Sequence, residues 1–403
     1  MTPRPAQRDP LLALALVAAV VAVFGLAFWA PFIYDDRVYI LENPEVVGPW
    51  RGWLHWIRAP LFDHGEYEPI VSLIHRLLYQ AFGESVTAFR LSNLALHLGM
   101  VLGFFALARK LLGRSWHAFA AAALFGLYPA HAEIMAIATF KKHLLVALAG
   151  LGIVALELGS LKTKARLAAQ AALFAFALLV KESAMMLPLL AGAAALSGLS
   201  PKRPRAERYA LAGLFGAVAA AYAAWRVAGA PRIVPSLALD PLGHLASSAK
   251  CLLWYLRELV APLSLCQEHS LAAAPPGFSG EGLLWALGVA GAAGAAAWLW
   301  RRDRLLGFSA AWTALALAPF LNLFPFLSVS LVANRYLYLA SAGFALGLCR
   351  AAQLWGARFP RALALAATAL ALFYARQASA QLARYSDPLE LWTKTAACAP
   401  SNP

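Results

Sequence analysis

Apolar runs about 20 residues long recur through this 403-residue chain, and no other feature of the sequence limits its fold so tightly. The hydrocarbon core of a membrane offers no water to backbone N–H and C=O groups, so only helices and closed barrels cross it. The runs are rich in Ala, Leu and Gly and lack the alternating ten-residue pattern of a barrel strand. The expectation is therefore an all-α polytopic membrane protein. Spans fall near 11–31, 88–108, 116–130, 144–160, 166–181, 184–199, 209–226, 283–300, 305–326, 337–350 and 361–376, about eleven crossings. Residues 11–31 are read as an anchored first helix rather than a cleaved leader. The exit Ala27-Phe28-Trp29-Ala30-Pro31 is a poor cleavage site, and many spans follow.

Charge orients these spans. Only 13% of residues are charged, yet the net charge is +14. Basic clusters sit between apolar runs at Arg109 to Arg114, Lys162 to Arg166, Lys202 to Arg208, Arg301 to Arg304 and Arg350 to Arg361. The positive-inside rule makes them cytoplasmic, together with Arg4 and Arg8. On that assignment the inner side holds 18 of the 34 basic and 4 of the 20 acidic residues, leaving 16 of each outside. The whole excess lies on one side, so it orients the chain and does not call for a nucleic-acid partner. An odd number of crossings then puts the N-terminus inside and the C-terminus outside. Leu245 to Val260 carries Lys250, Arg257 and Glu258 and is expected to lie on the outer surface as an amphipathic or re-entrant helix.

The expected organisation is a membrane domain over 1–376, with external loops at about 32–87 and 227–282, and a short external helical tail over 377–403. Each of these two loops is expected to carry an amphipathic helix. In the first, Trp50, Trp53 and Trp56 recur at three-residue spacing, which suits an interfacial helix and, less directly, a sugar-stacking face. Cys251 and Cys266 share the second, where a disulfide and two ordinary thiols fit equally. No zinc spacing, nucleotide loop or repeat is present.

Four groups of polar residues fall on the outer side. Asp35 and Asp36 follow the first span, where a carboxylate can act as general base or bind a divalent cation; solvated loop acids are the plainer reading. His131 and Glu133 follow Pro129 at the end of the third span. An extended backbone there would aim both side chains one way, toward a metal or an acceptor, while a hydrogen-bonded pair would be merely structural. Lys141 and Lys142 in the next loop, and Lys181-Glu182 at the end of the fifth span, place positive charge on the side that disfavours it, which a bound phosphate would explain as well as a salt bridge. Arg335, beside Tyr336, fits a phosphate fork or a snorkelling side chain.

The order of these motifs resembles the GT-C membrane glycosyltransferases. Within them it is most similar to the transmembrane O-mannosyltransferase-like proteins that carry tetratricopeptide repeats, and to their bacterial relatives. The resemblance rests on Tyr34-Asp35-Asp36, Glu42-Asn43-Pro44, Pro69, Leu91 to His97, Tyr128 to Glu133, Lys181-Glu182, Asn322 to Pro325 and Asn334 to Tyr338. It departs at Tyr128, where the family has His, at Glu68, where it has Arg, and at Phe140 to His143, where it has an Arg-Lys-Asp run. What the resemblance implies is an inverting enzyme of a bacterial inner membrane, transferring a sugar from a polyprenyl-phosphate carrier to a protein hydroxyl on the periplasmic face. Asp35 would be the base with Asp36 supporting. His131 and Glu133 would take a divalent metal or the acceptor, and Lys181, Arg335, Lys141 and Lys142 the donor phosphate, supported by Glu182 and Tyr336. Transfer to a lipid or glycan, and a non-enzymatic carrier of the lipid-linked sugar, stand as alternatives.

Overall fold

The computed structural model describes residues 5–52, 55, 67–229, 241–271, 279–322, 331–356 and 358–400. Its described residues form helices α1 (Pro5–Phe24), α2 (Pro44–Val47), α3 (Pro69–Phe82), α4 (Val86–Leu112), α5 (Ser115–Gly126), α6 (His131–Ala136), α7 (Lys141–Leu158) and α8 (Thr163–Val180). These are followed by α9 (Leu187–Leu196), α10 (Arg205–Gly229), α11 (Pro241–Val260), α12 (Gly280–Arg302), α13 (Arg304–Leu317), α14 (Leu337–Trp355), α15 (Pro360–Ser386) and α16 (Pro388–Cys398). No strand occurs among the described residues.

Among the described residues, eight helical segments are long and apolar enough to cross a membrane: Asp9–Trp29, Val86–Leu112, Ala138–Leu158, Thr163–Val180, Arg205–Val227, Gly280–Arg302, Asn334–Trp355 and Pro360–Ser386. Where the other three spans were expected the helices are shorter: the apolar segments Glu182–Leu196 and Arg304–Phe320, and the 12-residue α5. Proline explains two of the short ones. Pro129 stands just beyond the end of α5, and Pro319 lies in the tight turn that closes α13, each removing a backbone donor from the ladder. Side chains set other boundaries. Ser85 caps α4, whose far end stops at Gly113 in the left-handed conformation (φ 71°). Asp303 caps α13 through Leu305 N and Leu306 N, both at 3.0 Å.

Segment 138–158, containing α7, is the hub, with 78% of its most apolar window buried inside the protein, whereas α12 buries no residue and α10 very few. Small residues allow the tightest approaches. A Cβ on Gly343 of α14 would lie 2.9 Å from Thr313 N and 3.0 Å from Ser309 O of α13, so only glycine fits there.

The two ends of the bundle differ in charge chemistry. At the end expected to be cytoplasmic, every one of the four acids pairs with a base. Asp9 meets Arg109 at 3.3 Å, Glu157 meets Arg166 at 2.7 Å and Arg203 at 2.5 Å, Glu207 meets Arg166 at 2.9 Å, and Asp303 meets Arg350 at 2.7 Å. These pairs tie α7, α8 and α10 together, and α13 to α14. All the polar motifs singled out in the sequence gather at the opposite end.

Helix α11 lies at that opposite end. Tyr128 Oη donates to Glu258 O at 2.6 Å, Tyr255 Oη accepts from Ala333 N at 3.3 Å, and Lys250 Nζ stands 3.4 Å from Glu281. Among the described residues of the first loop an amphipathic element is α3, which buries Val71, His75 and Arg76 and exposes Leu77 and Phe82. The expected Trp50–Trp56 helix falls largely outside the described residues. Trp50 itself is in a non-helical segment, its ring 5.6 Å from the Arg76 guanidinium. A disulfide between Cys251 and Cys266 does not form. Cys266 pairs instead with Cys398 at the end of α16, 132 residues away, because α11 turns Cys251 into the bundle toward Leu331 O, 3.6 Å distant.

Candidate active site

The turn after the first span separates the two adjacent carboxylates. Tyr34 adopts a left-handed backbone (φ 54°), which costs a non-glycine residue about 1–2 kcal/mol. The turn drives Asp36 inward. Its carboxylate is fully buried, with Oδ1 accepting from Thr139 N at 2.9 Å and Oδ2 lying 3.4 Å from Arg90 Nη2. Burial pushes the Asp36 carboxyl above its ordinary range, against the pull of Arg90 and the Thr139 and Ala138 amides. Asp36 is thus bound into the frame of the site. Asp35 remains half-exposed at the surface of the same turn. Lys141 belongs with Asp36: its Nζ donates to Ala138 O at 2.9 Å, lies 5.3 Å from the Phe89 ring and faces Asp36 electrostatically.

Arg335 forms the second group. It stands in the short helical turn Asn334–Tyr336 that leads into α14 and reaches Glu133 on α6. Its Nη1 donates to Glu133 Oε1 at 2.7 Å, and its backbone N donates to Oε2 at 3.0 Å. The guanidinium also lies 4.8 Å from the Phe140 ring and 5.1 Å from that of Tyr336, which stacks flat on Phe320 at 3.9 Å. Burial raises the Glu133 carboxyl to about 7, opposed by Arg335 and reinforced by the nearby charge of Glu268.

A third group gathers around Glu68, the residue just before α3. Lys142 Nζ donates to both its oxygens, at 2.9 and 3.0 Å, and Lys181 Nζ approaches Oε1 at 3.3 Å. Two departures from the family pattern, Glu68 and the 140–143 run, therefore meet in one ion cluster. Glu182, next along, pairs with Arg226 of α10 at 3.6 Å, and that guanidinium lies 4.9 Å from the Tyr67 ring. Between the second and third groups stands His143. It is ringed by Phe140, Tyr336 and Phe320 and lies within electrostatic reach of Lys181, Lys142 and Arg335, while its Nε2 is buried without a hydrogen-bond partner among the described residues.

His131 goes elsewhere. Pro129 starts a helix here rather than an extended segment, so residues two apart diverge and His131 does not share a ligand with Glu133. It sinks into an aromatic cage of Tyr338, His97, Phe125 and Tyr128, with Nε2 3.1 Å from Ser341 Oγ. The proposed metal pair does not fit a metal: one donor is committed to Arg335 and the other faces away. Among the described residues no three His, Cys, Asp or Glu side chains converge as a metal-holding set.

Sequence reasoning missed Glu268 entirely. It lies in the segment after α11, is buried, and accepts from Tyr34 Oη at 2.5 Å. The available signal was the polar run Gln267-Glu268-His269 directly after Cys266, an acid placed in an otherwise apolar loop. Arg90 was also missed, since a lone Arg within an apolar helix reads as tolerated rather than paired.

No family model matches the chain. Protein O-mannosyl-transferase Tmtc1 of Drosophila melanogaster is 38% identical over 115 residues, and Tmtc2 of the same fly is 38% identical over 116. Each match covers 27% of this chain but only 13% and 12% of those proteins, so the chain spans a small part of the curated relatives it matches. Among solved structures, the apo oligosaccharyltransferase of Archaeoglobus fulgidus aligns over 93% of this chain and 56% of its own, with a TM-score of 0.51 at 15% identity. At that identity the likeness is one of fold, and it is the GT-C fold that the motif order implied.

Proposed function

We propose that this chain is an inverting glycosyltransferase that moves a sugar from a polyprenyl-phosphate carrier to a hydroxyl, on a protein acceptor, at the non-cytoplasmic face of a bacterial inner membrane. The observation that carries the reading is that one end of a GT-C-type bundle holds both the half-exposed Asp35 carboxylate and two ion groups, Arg335 with Glu133 and Lys142 and Lys181 with Glu68. Asp35 takes the proton of the acceptor hydroxyl as its oxygen attacks the anomeric carbon. The bond from that carbon to the phosphate oxygen breaks, and its electron pair leaves with the polyprenyl phosphate. Lys142, Lys181 and Arg335 meet the charge that develops on the leaving group, in a water-poor setting where preorganised cations act most strongly. Asp36, held by Thr139 and Arg90, fixes the turn that carries Asp35. The fly relatives' names support a mannosyl donor.

The test is transfer in detergent from a polyprenyl-phosphate-linked mannose, read by intact mass of candidate periplasmic proteins. Asp35→Asn should lower turnover about 100- to 10,000-fold while leaving folding unchanged. Full activity of Asp35→Asn would remove the base from this position. A product found only in the lipid or glycan fraction would replace the protein acceptor.

A further inference from the structure

Tyr34 is held from three sides by elements that no sequence motif connected to it. Its hydroxyl donates to Glu268 at 2.5 Å, its ring stacks on Trp392 of α16 at 6.2 Å and 30°, and Phe140 meets it edge-on at 6.1 Å. A left-handed tyrosine persists only where its surroundings over-determine it, and such conformations collect at functional turns. The segment bearing Glu268 is itself fastened. Asn334 Nδ2 donates to Cys266 O at 2.6 Å, Tyr385 Oη donates to Gln267 at 2.7 Å, and Gln381 Nε2 donates to Leu265 O at 3.0 Å. The disulfide from Cys266 to Cys398 joins this segment to the helix that presents Trp392.

We infer that Glu268 is a positioning residue: together with Trp392 it clasps Tyr34 and thereby sets where the neighbouring Asp35 carboxylate stands. This rests on the proposed role of Asp35 as the base, but the clasp itself is measurable without it. The hydroxyl–carboxylate bond fixes the direction of the tyrosine, the indole fixes the tilt of its ring, and the next residue in the chain inherits both. A displaced base costs rate without costing donor binding, since a misplacement of about 1 Å is worth roughly 100-fold.

Two measurements test this. In a Cys251→Ser, Cys349→Ser background, a nitroxide attached to Arg37→Cys, an exposed site just past the turn, should be immobilised. It should become mobile when Glu268→Leu or Tyr34→Phe is added. In the transfer assay, Glu268→Leu should lower kcat about 10- to 100-fold with the donor KM changed less than about 3-fold. Glu268→Gln, whose carbonyl still accepts from the tyrosine, should stay within about 3-fold of the parent. Glu268→Leu with Tyr34→Phe should be no worse than either alone, as expected of one shared contact. Unchanged nitroxide mobility in both single variants, or additive losses in the double variant, would overturn the clasp. If the nitroxide responds while the parent protein transfers no sugar, the clasp stands and the glycosyltransferase reading falls.

Discussion

Replacing Glu68 by Gln separates the ion cluster around it from its function. Lys142 and Lys181 reach Glu68 at 2.9 and 3.3 Å, and neither Glu68 nor Lys142 has appreciable exposure. A unit pair at 2.9 Å attracts with about 6 kcal/mol at an effective dielectric of 20, before desolvation is counted. Removing one partner of a buried pair leaves the other uncompensated and typically costs about 3–5 kcal/mol. With an unfolding entropy near 2.1 cal/mol/K per residue, a chain of 403 residues converts that into a melting temperature lower by roughly 4–6 °C. Glu68→Gln also removes the carboxylate that competes with a phosphate for the same two ammonium groups. A short-chain polyprenyl phosphate at 100 times its Kd should then return about 2.7 kcal/mol, or roughly 3 °C, and should stabilise the variant more than the parent. Both are read by intrinsic fluorescence on heating in detergent. A variant that melts with the parent would show that the cluster carries no net charge burial. A variant that gains nothing from the lipid phosphate would move the donor away from Lys142 and Lys181.

Asp36→Asn leaves Arg90 buried beside a neutral side chain and should cost about 3–5 kcal/mol in the same melting assay. The Glu133 carboxyl, raised from 4.5 to about 7, should show its protonated carbonyl band in infrared spectra below pH 7 and lose it above. Because that folded-state value is raised, its contribution to stability is full below about pH 4.5 and lost as pH rises through about 7, and Glu133→Gln should remove that slope. A cysteine at Lys202 should resist an impermeant thiol reagent in intact cells while one at Leu389 reacts; labelling at 202 would invert the orientation and with it the proposed periplasmic site.

Much of the architecture is local and therefore readable in one dimension. Whether a segment enters a membrane depends on a sum of transfer energies along some 20 consecutive residues, so hydropathy alone placed the eight long apolar helices found among the described residues. Orientation depends on which loops hold Lys and Arg, again a sum along the chain. The four acids expected on the inner side are each found paired with a base. What the chain order could not supply was the partner of each polar residue. Arg335 and Glu133 are 202 positions apart, Lys181 and Glu68 are 113, and Tyr34 and Glu268 are 234. Asp35 and Asp36 are neighbours with the same chemistry, yet one is half-exposed and the other is sealed against Arg90, because a single left-handed residue turns the chain between them and the bundle. His131 and Glu133, two apart, divide for a related reason: a helical rather than an extended backbone sends them to different neighbours. In a membrane bundle the cost of burying a charge is large and can be offset only by another specific group. The pairings that gather these polar residues at this end of the molecule are therefore set by the packing of helices distant in sequence.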